Sequence, residues 1–166
     1  MIRALFVSFT LLASPAIAQD GHRADDEHEH DEHVAEASGI RAIHAWANAT
    51  DASTALVYVE IENGSDTTVT LIGAETEIAA NAEIVGLENT SGELRYTAIP
   101  ALPIPAGAGM VFAPNGLAIA LSGLSGALVQ GDHFDLELEF EDIHLDLEVE
   151  IESASATQHS HAGHNH

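Results

Sequence analysis

The chain contains no cysteine and, among its 166 residues, only two methionines, one tryptophan and two tyrosines. The absence of cysteine excludes disulfides, thiolate metal sites and cysteine nucleophiles. A specific metal site must therefore use histidine, carboxylate or methionine ligands. Positive charge is also scarce, since four basic residues face 27 acidic ones. The formal charge of −23 makes nucleic acids and anionic membrane surfaces poor partners.

Long apolar runs are also missing. The run from Ala4 to Ala13 is shorter than the roughly 20 residues that a membrane-spanning helix needs, and no later stretch approaches that length. Arg3 precedes this run and the small-residue site Ala16-Ile17-Ala18 follows it, a pattern typical of a cleaved export signal. We expect residues 1–18 to be this signal, with no membrane insertion of the mature chain and a periplasmic location.

The rest of the chain divides by composition into a domain with two tails. Residues 19–38 are polar, acidic and without apolar periodicity, which predicts a disordered leader, and residues 154–166 form a second low-complexity tail. Residues 39–153 hold short apolar runs separated by turn residues, as expected for one all-β domain. The predicted strands before the last hairpin are Ile40–Ala47, Leu56–Glu62, Thr67–Ala74, Ala82–Glu88, Leu94–Ile99, Gly109–Phe112 and Leu117–Leu121.

The strongest pattern is a strict alternation of apolar and acidic residues near the end of the domain. Apolar residues recur at every second position from Phe134 to Phe140 and again from Ile143 to Ile151, with mostly acidic residues between them. Because side chains of a strand alternate between its two faces, this pattern predicts a hairpin with one buried and one acidic face. Many short strands without a helical period favour an antiparallel Greek-key β-sandwich or barrel.

The domain resembles the PCu(A)C family of periplasmic copper chaperones. The resemblance depends on landmarks in the family's order, which are Ala45-Trp46-Ala47, Tyr58-Val59-Glu60-Ile61-Glu62-Asn63-Gly64, Ala82-Glu83-Ile84, Leu102-Pro103-Ile104-Pro105-Ala106-Gly107, Pro114-Asn115-Gly116-Leu117 and Gly131-Asp132. It implies a cupredoxin-like fold and a role in handling copper. It also implies a Cu(I) site made by two histidines and two methionines in the pattern His-x10-Met-x21-His-x-Met.

All four of those ligand positions hold other residues in this chain. Two independent landmarks place them at Val85, Tyr96, Ala118 and Ala120. Valine and alanine have no donor atom, and a tyrosine hydroxyl is a poor ligand for soft Cu(I). The remaining methionine of the mature chain, Met110, cannot supply a two-thioether site. The family's own site is therefore predicted to be absent.

Histidines concentrate instead in the two tails. The leader contains His28, His30 and His33 among carboxylates, and the C-terminal tail contains His159, His161, His164 and His166 among small residues. Imidazoles two and three residues apart on a flexible chain can surround Zn(II) or Cu(II) without a preformed site. Solvated tails with incidental affinity for such metals are the alternative interpretation.

Three histidines lie inside the domain. His44 shares strand parity with Trp46 and is interpreted as a structural histidine. His133 and His144 accompany the acidic hairpin, either as parts of a surface cation site or as members of a solvated face.

The leading hypothesis is a periplasmic metal-binding protein that buffers copper or zinc on its histidine tails or delivers it to a receiving protein. The alternative is an interaction module that docks a protein or an apolar ligand on the patch around Val85, Tyr96, Ala118 and Ala120. No nucleophile elbow, phosphate loop or His-Glu-x-x-His motif is present, so we do not expect an enzyme.

Overall fold

A computed structural model describes residues 34–160, and these form eleven β-strands and no helix. The strands are β1 Val34–Ala37, β2 Ile40–Asn48, β3 Thr54–Asn63, β4 Val69–Glu75, β5 Asn81–Thr90, β6 Glu93–Ala98, β7 Leu102–Ile104, β8 Gly109–Val111, β9 Leu117–Ser122, β10 His133–Phe140 and β11 His144–Glu152. Their order in the sheet is β6-β5-β9-β3-β2-β11-β10-β4-β7, while β1 pairs with β2 and β8 with β3. The predicted all-β class is confirmed.

The sheet is mixed, which the sequence did not predict. β11 pairs with β2 in parallel, with Glu150 opposite Trp46 and Glu152 opposite Asn48. The other strand pairs within residues 34–160 are antiparallel. This parallel pair joins the start of the domain to its end, and it holds the last strand between two neighbours.

The acidic hairpin has the predicted geometry. Phe134 pairs with Val149, and Leu136 with Leu147, so the apolar residues of β10 and β11 share one face. Those side chains are at most 7% exposed and join one core with residues of β2, β3, β4 and β9. Burial of each such side chain stabilises the fold by about 1.5–3 kcal/mol, while the acidic side chains remain on the outer face.

Two segments assigned to the tails belong to the folded domain. Residues 34–37, predicted to end a disordered leader, form β1 and pair with β2 across Ser38 and Gly39. Both turn residues have positive φ, 53° and 81°, which is the requirement of a tight hairpin turn. Residues 154–160, predicted to begin the C-terminal tail, lie in turns after β11.

Asn63 fixes a corner between β3 and the strands β4 and β7. It is 1% exposed, and its amide donates to the carbonyls of Thr67 at 2.8 Å and Ile104 at 2.9 Å. Its Oδ1 accepts hydrogen bonds from the backbone and the hydroxyl of Ser65. These four bonds satisfy the side chain in a site closed to water.

Candidate metal site

The structure brings together the four residues at the positions to which the resemblance assigns copper ligands. Val85 of β5 lies opposite Ala118 of β9, and Tyr96 and Ala120 pack against the same cluster. Trp46 and Tyr58 are its other large members, with ring centroids 4.7 Å apart. The described residues of this cluster include no imidazole, thiolate or thioether. The cluster therefore lacks the donors that bind Cu(I).

The cluster is filled rather than open. Val85 is 5% exposed and Ala118 is fully buried, so neither presents a surface for a partner. The pKa of Tyr58 is raised to about 12. Burial is the largest cause, and the charge interaction and the hydrogen bond with Tyr96 add to it. Tyr58 is thus a neutral phenol at physiological pH and not a phenolate ligand.

A segment after β11 crosses the edge of this apolar cluster. The amide of Asn48, the last residue of β2, donates to the carbonyl of Ser153 at 2.9 Å and to that of Ala156 at 3.0 Å. These bonds turn the chain back, so that Ala156 packs against the cluster. Residues 157–159 then line a groove beside His44 and Trp46. We call residues 153–160 the return segment.

The return segment delivers His159 to a pair of carboxylates. Its Nε2 lies 2.9 Å from Oε2 of Glu150 and 3.9 Å from Oε1 of Glu152. The imidazole is 2% exposed, and its ring stacks on His44 with a centroid distance of 5.1 Å. His44 sits at a bulge of β2 with φ of 52°, where the extra residue redirects its side chain. The bulge breaks the strand parity that was expected to link His44 with Trp46, and His44 packs instead against the ring of His159.

Glu150, Glu152 and His159 have the chemistry of a metal site. One ligand atom from each lies within 4.8 Å of the other two. An imidazole and two carboxylates are suitable ligands for Zn(II) or Cu(II), whereas Cu(I) prefers thioethers and thiolates. Of the seven histidines predicted to bind metal, the structure describes His159. The other six, His28, His30, His33, His161, His164 and His166, lie outside the described residues.

The two glutamates were missed because strand alternation already accounted for them. Glu150 and Glu152 continue the alternation of acidic and apolar residues along β11. In the sequence they therefore look like the exposed acidic residues before them. A usable signal was the return of a histidine within nine residues, since a short turn can bring such a residue back to the strand.

A second His-carboxylate group lies at the other end of the hairpin. His144 faces Glu139 across the strands, and its Nδ1 is 2.8 Å from Oε1 of Glu137. This hydrogen bond with Glu137, together with the negative charge there, raises the pKa of the exposed His144. His133 lies at the opposite end, with Nε2 3.5 Å from Oε2 of Glu148. The structure therefore does not bring His133 and His144 into one site.

Comparison with protein families assigns the domain. The family model with the description "Putative lipoprotein LpqE-like" matches residues 40–152. The chain belongs to the LpqE-like family. No curated protein matches this LpqE-like chain. Within residues 34–160, no helix has the length and apolar character needed to cross a membrane.

Solved structures give the fold of this LpqE-like domain. The copper-bound PCuAC domain from PmoF2 is 19% identical with a TM-score of 0.62, and the match covers 73% of this chain and 98% of that one. The apo PCuAC domain from PmoF1 is 22% identical with a TM-score of 0.62, covering 73% and 99%. CuI-DR1885 from Deinococcus radiodurans is 24% identical with a TM-score of 0.55, covering 66% and 75%. The predicted cupredoxin-like fold and the resemblance to copper-chaperone domains are confirmed.

Proposed function

We propose that this LpqE-like protein binds Cu(II) or Zn(II) through the histidines of its two tails and passes the metal to a receiving protein. The metal is cargo, held by ligands that can be replaced one at a time. Export by the predicted signal would place this activity in the periplasm. The fold of copper-handling domains supports the general role.

One observation favours the tails over the family's ligand positions. Val85, Tyr96, Ala118 and Ala120 meet in an apolar cluster without a metal donor, while the C-terminal chain returns to the same edge of the domain with a histidine. Loss of one site and gain of histidines nearby support a change of ligands rather than a loss of metal binding. The new ligands are imidazole and carboxylate, which favour Cu(II) and Zn(II) over Cu(I).

The alternative, a docking module at the vacated ligand positions, has less support. Val85 and Ala118 are buried in the apolar cluster, so of the four positions only Tyr96 and Ala120 are partly accessible. Each partner of a typical stable interface buries roughly 800 Å². Two partly covered side chains offer a much smaller surface.

The test is a calorimetric titration of Cu(II), Zn(II) and chelator-held Cu(I) into the mature protein. We expect Cu(II) and Zn(II) to bind, and binding to be lost when all seven tail histidines are changed to alanine. The variant H133A/H144A, which removes two histidines of the hairpin, is the control and should bind like the wild type. Strong Cu(I) binding by the variant that lacks all seven tail histidines would refute the proposal, because it would place the metal in the core.

A further inference from the structure

We infer that Glu150, Glu152 and His159 form a binding site for one divalent cation of the Zn(II) or Cu(II) type. Its three ligands all lie within the described residues 34–160, and the inference requires none of the other six tail histidines. It shares only His159 with the proposed function, so the two ideas can fail separately.

The two carboxylates come from a rigid position. Glu150 and Glu152 are two residues apart on β11, so they point to the same side of the sheet. β11 is bounded by β10 and β2, so Glu150 lies between His133 of β10 and Trp46 of β2, while Glu152 pairs with Asn48 of β2. Their side chains are 30% and 14% exposed, so they are partly shielded from water. Partial burial of two negative charges is costly unless a cation is close to them.

The third ligand is positioned by the return segment. The backbone N–H of Ser160 donates to Oε1 of Glu152 at 2.7 Å, which orients this carboxylate and fixes the chain beside it. Stacking on His44 holds the imidazole plane, and the Nε2 atom faces both carboxylates. Two of the three ligands, Glu152 and His159, are therefore held by a neighbour that is not itself a ligand, as in built metal sites.

The distances are close to those of a tetrahedral metal site. Ligand bonds of about 2.0–2.2 Å to zinc imply separations of about 3.4 Å between neighbouring ligand atoms. Nε2 of His159 is 2.9 Å from one carboxylate oxygen and 3.9 Å from the other, on either side of that value. Small rotations of the side chains suffice to admit an ion. Three protein ligands leave one position for water or for a ligand of a receiving protein.

The same contacts also suit a protonated imidazole between two carboxylates, without a metal. A metal site requires a neutral imidazole, so a divalent cation and a proton on Nε2 of His159 exclude each other. An ion pair alone predicts no metal uptake. Metal titration therefore separates these two states of the cluster.

The decisive background is the full mature chain with His28, His30, His33, His161, His164 and His166 changed to alanine, which keeps His159. We expect it to bind one equivalent of Zn(II) or Cu(II) in a competition titration. Adding E150Q/E152Q should weaken binding about 100-fold or more, because even the loss of an outer-sphere partner costs about 10- to 100-fold.

The matched control is D146N/E148Q, which removes the same charge from the same strand and face. It should leave the affinity of the background within about twofold, since the lost charges are exposed and screened by salt. Circular dichroism of each variant verifies that the sheet is intact.

Two results would overturn the site. One is the absence of metal uptake by the variant that lacks the six other tail histidines. If the wild type does bind metal, the tails alone are then responsible for it. The other is metal that remains after E150Q/E152Q but is lost with E137Q/E139Q, which would assign it to the cluster at His144. Failure of the tail histidines to add further equivalents in the wild type would instead refute the proposed function and leave this site intact.

Discussion

The return segment provides the sharpest test of how the candidate site is assembled, through the substitution N48A. Asn48 is not a ligand, but its amide makes both hydrogen bonds that hold Ser153 and Ala156. We expect N48A to release the segment partly and thereby separate His159 from the two glutamates. The sheet should remain folded, because the core packing of β2 does not involve this amide.

The size of the effect follows from these two bonds. Each neutral hydrogen bond contributes about 0.5–1.5 kcal/mol, so the docked segment should lose about 1–3 kcal/mol. At about 1.4 kcal/mol per factor of ten, the docking equilibrium should shift about 5- to 150-fold toward release. The bond from Ala49 N–H to the Glu152 carbonyl remains, so release should be confined to residues after Glu152.

Hydrogen exchange of the full chain measures this shift directly. The N–H groups of Ala156 and Ser160 are both hydrogen-bonded in the docked segment and should exchange about 5- to 150-fold faster in N48A. Metal affinity should fall by no more than the same factor, since it scales with the docked fraction.

The control N81A removes an exposed amide with one long bond of 3.4 Å to the Ser122 hydroxyl, and it should change neither quantity. Wild-type exchange at both amides in N48A would refute the reasoning.

Three further predictions test the rest of the structure. N63D should lower the free energy of unfolding by about 2–6 kcal/mol, because the carbonyls of Thr67 and Ile104 lose their donor at a site that is 1% exposed. Urea unfolding monitored by Trp46 fluorescence measures this loss, and an unchanged midpoint of unfolding would contradict it. The folded-state pKa of Tyr58, about 12, lies above the ordinary tyrosine value of 10.0, so its stabilising contribution is present below pH 10 and is lost as pH rises through 12. That loss, about 3 kcal/mol when complete, should be missing from Y58F in alkaline urea titrations, and equal curves for both proteins would count against it. Finally, V85H/Y96M/A118H/A120M should gain Cu(I) binding at a packing cost of about 1–3 kcal/mol, because Ala118 is fully buried; no gain would mean that the ligand register is wrong.

Local periodicity explains what was predictable about the fold. Alternation from Phe134 to Ile151 gave the hairpin and its buried face, because strand side chains repeat every two residues. The spacing of landmarks singled out Val85, Tyr96, Ala118 and Ala120, and these four residues do meet in one cluster. β1 escaped prediction because a four-residue strand of mixed polarity gains its stability from pairing with β2, which its own sequence does not reveal.

The amino-acid sequence by itself determined the donor chemistry, since a chain without cysteine and with a single methionine beyond the first residue has imidazole and carboxylate left as metal ligands. It also determined that the four positions to which the resemblance assigns copper ligands hold neither imidazole nor carboxylate. Only the tertiary structure decided that Glu150, Glu152 and His159 meet. That meeting depends on the parallel pairing of β11 with β2, which puts Asn48 next to the return segment. Contacts of this kind join residues about one hundred positions apart, and local side-chain periodicity contains no information about them.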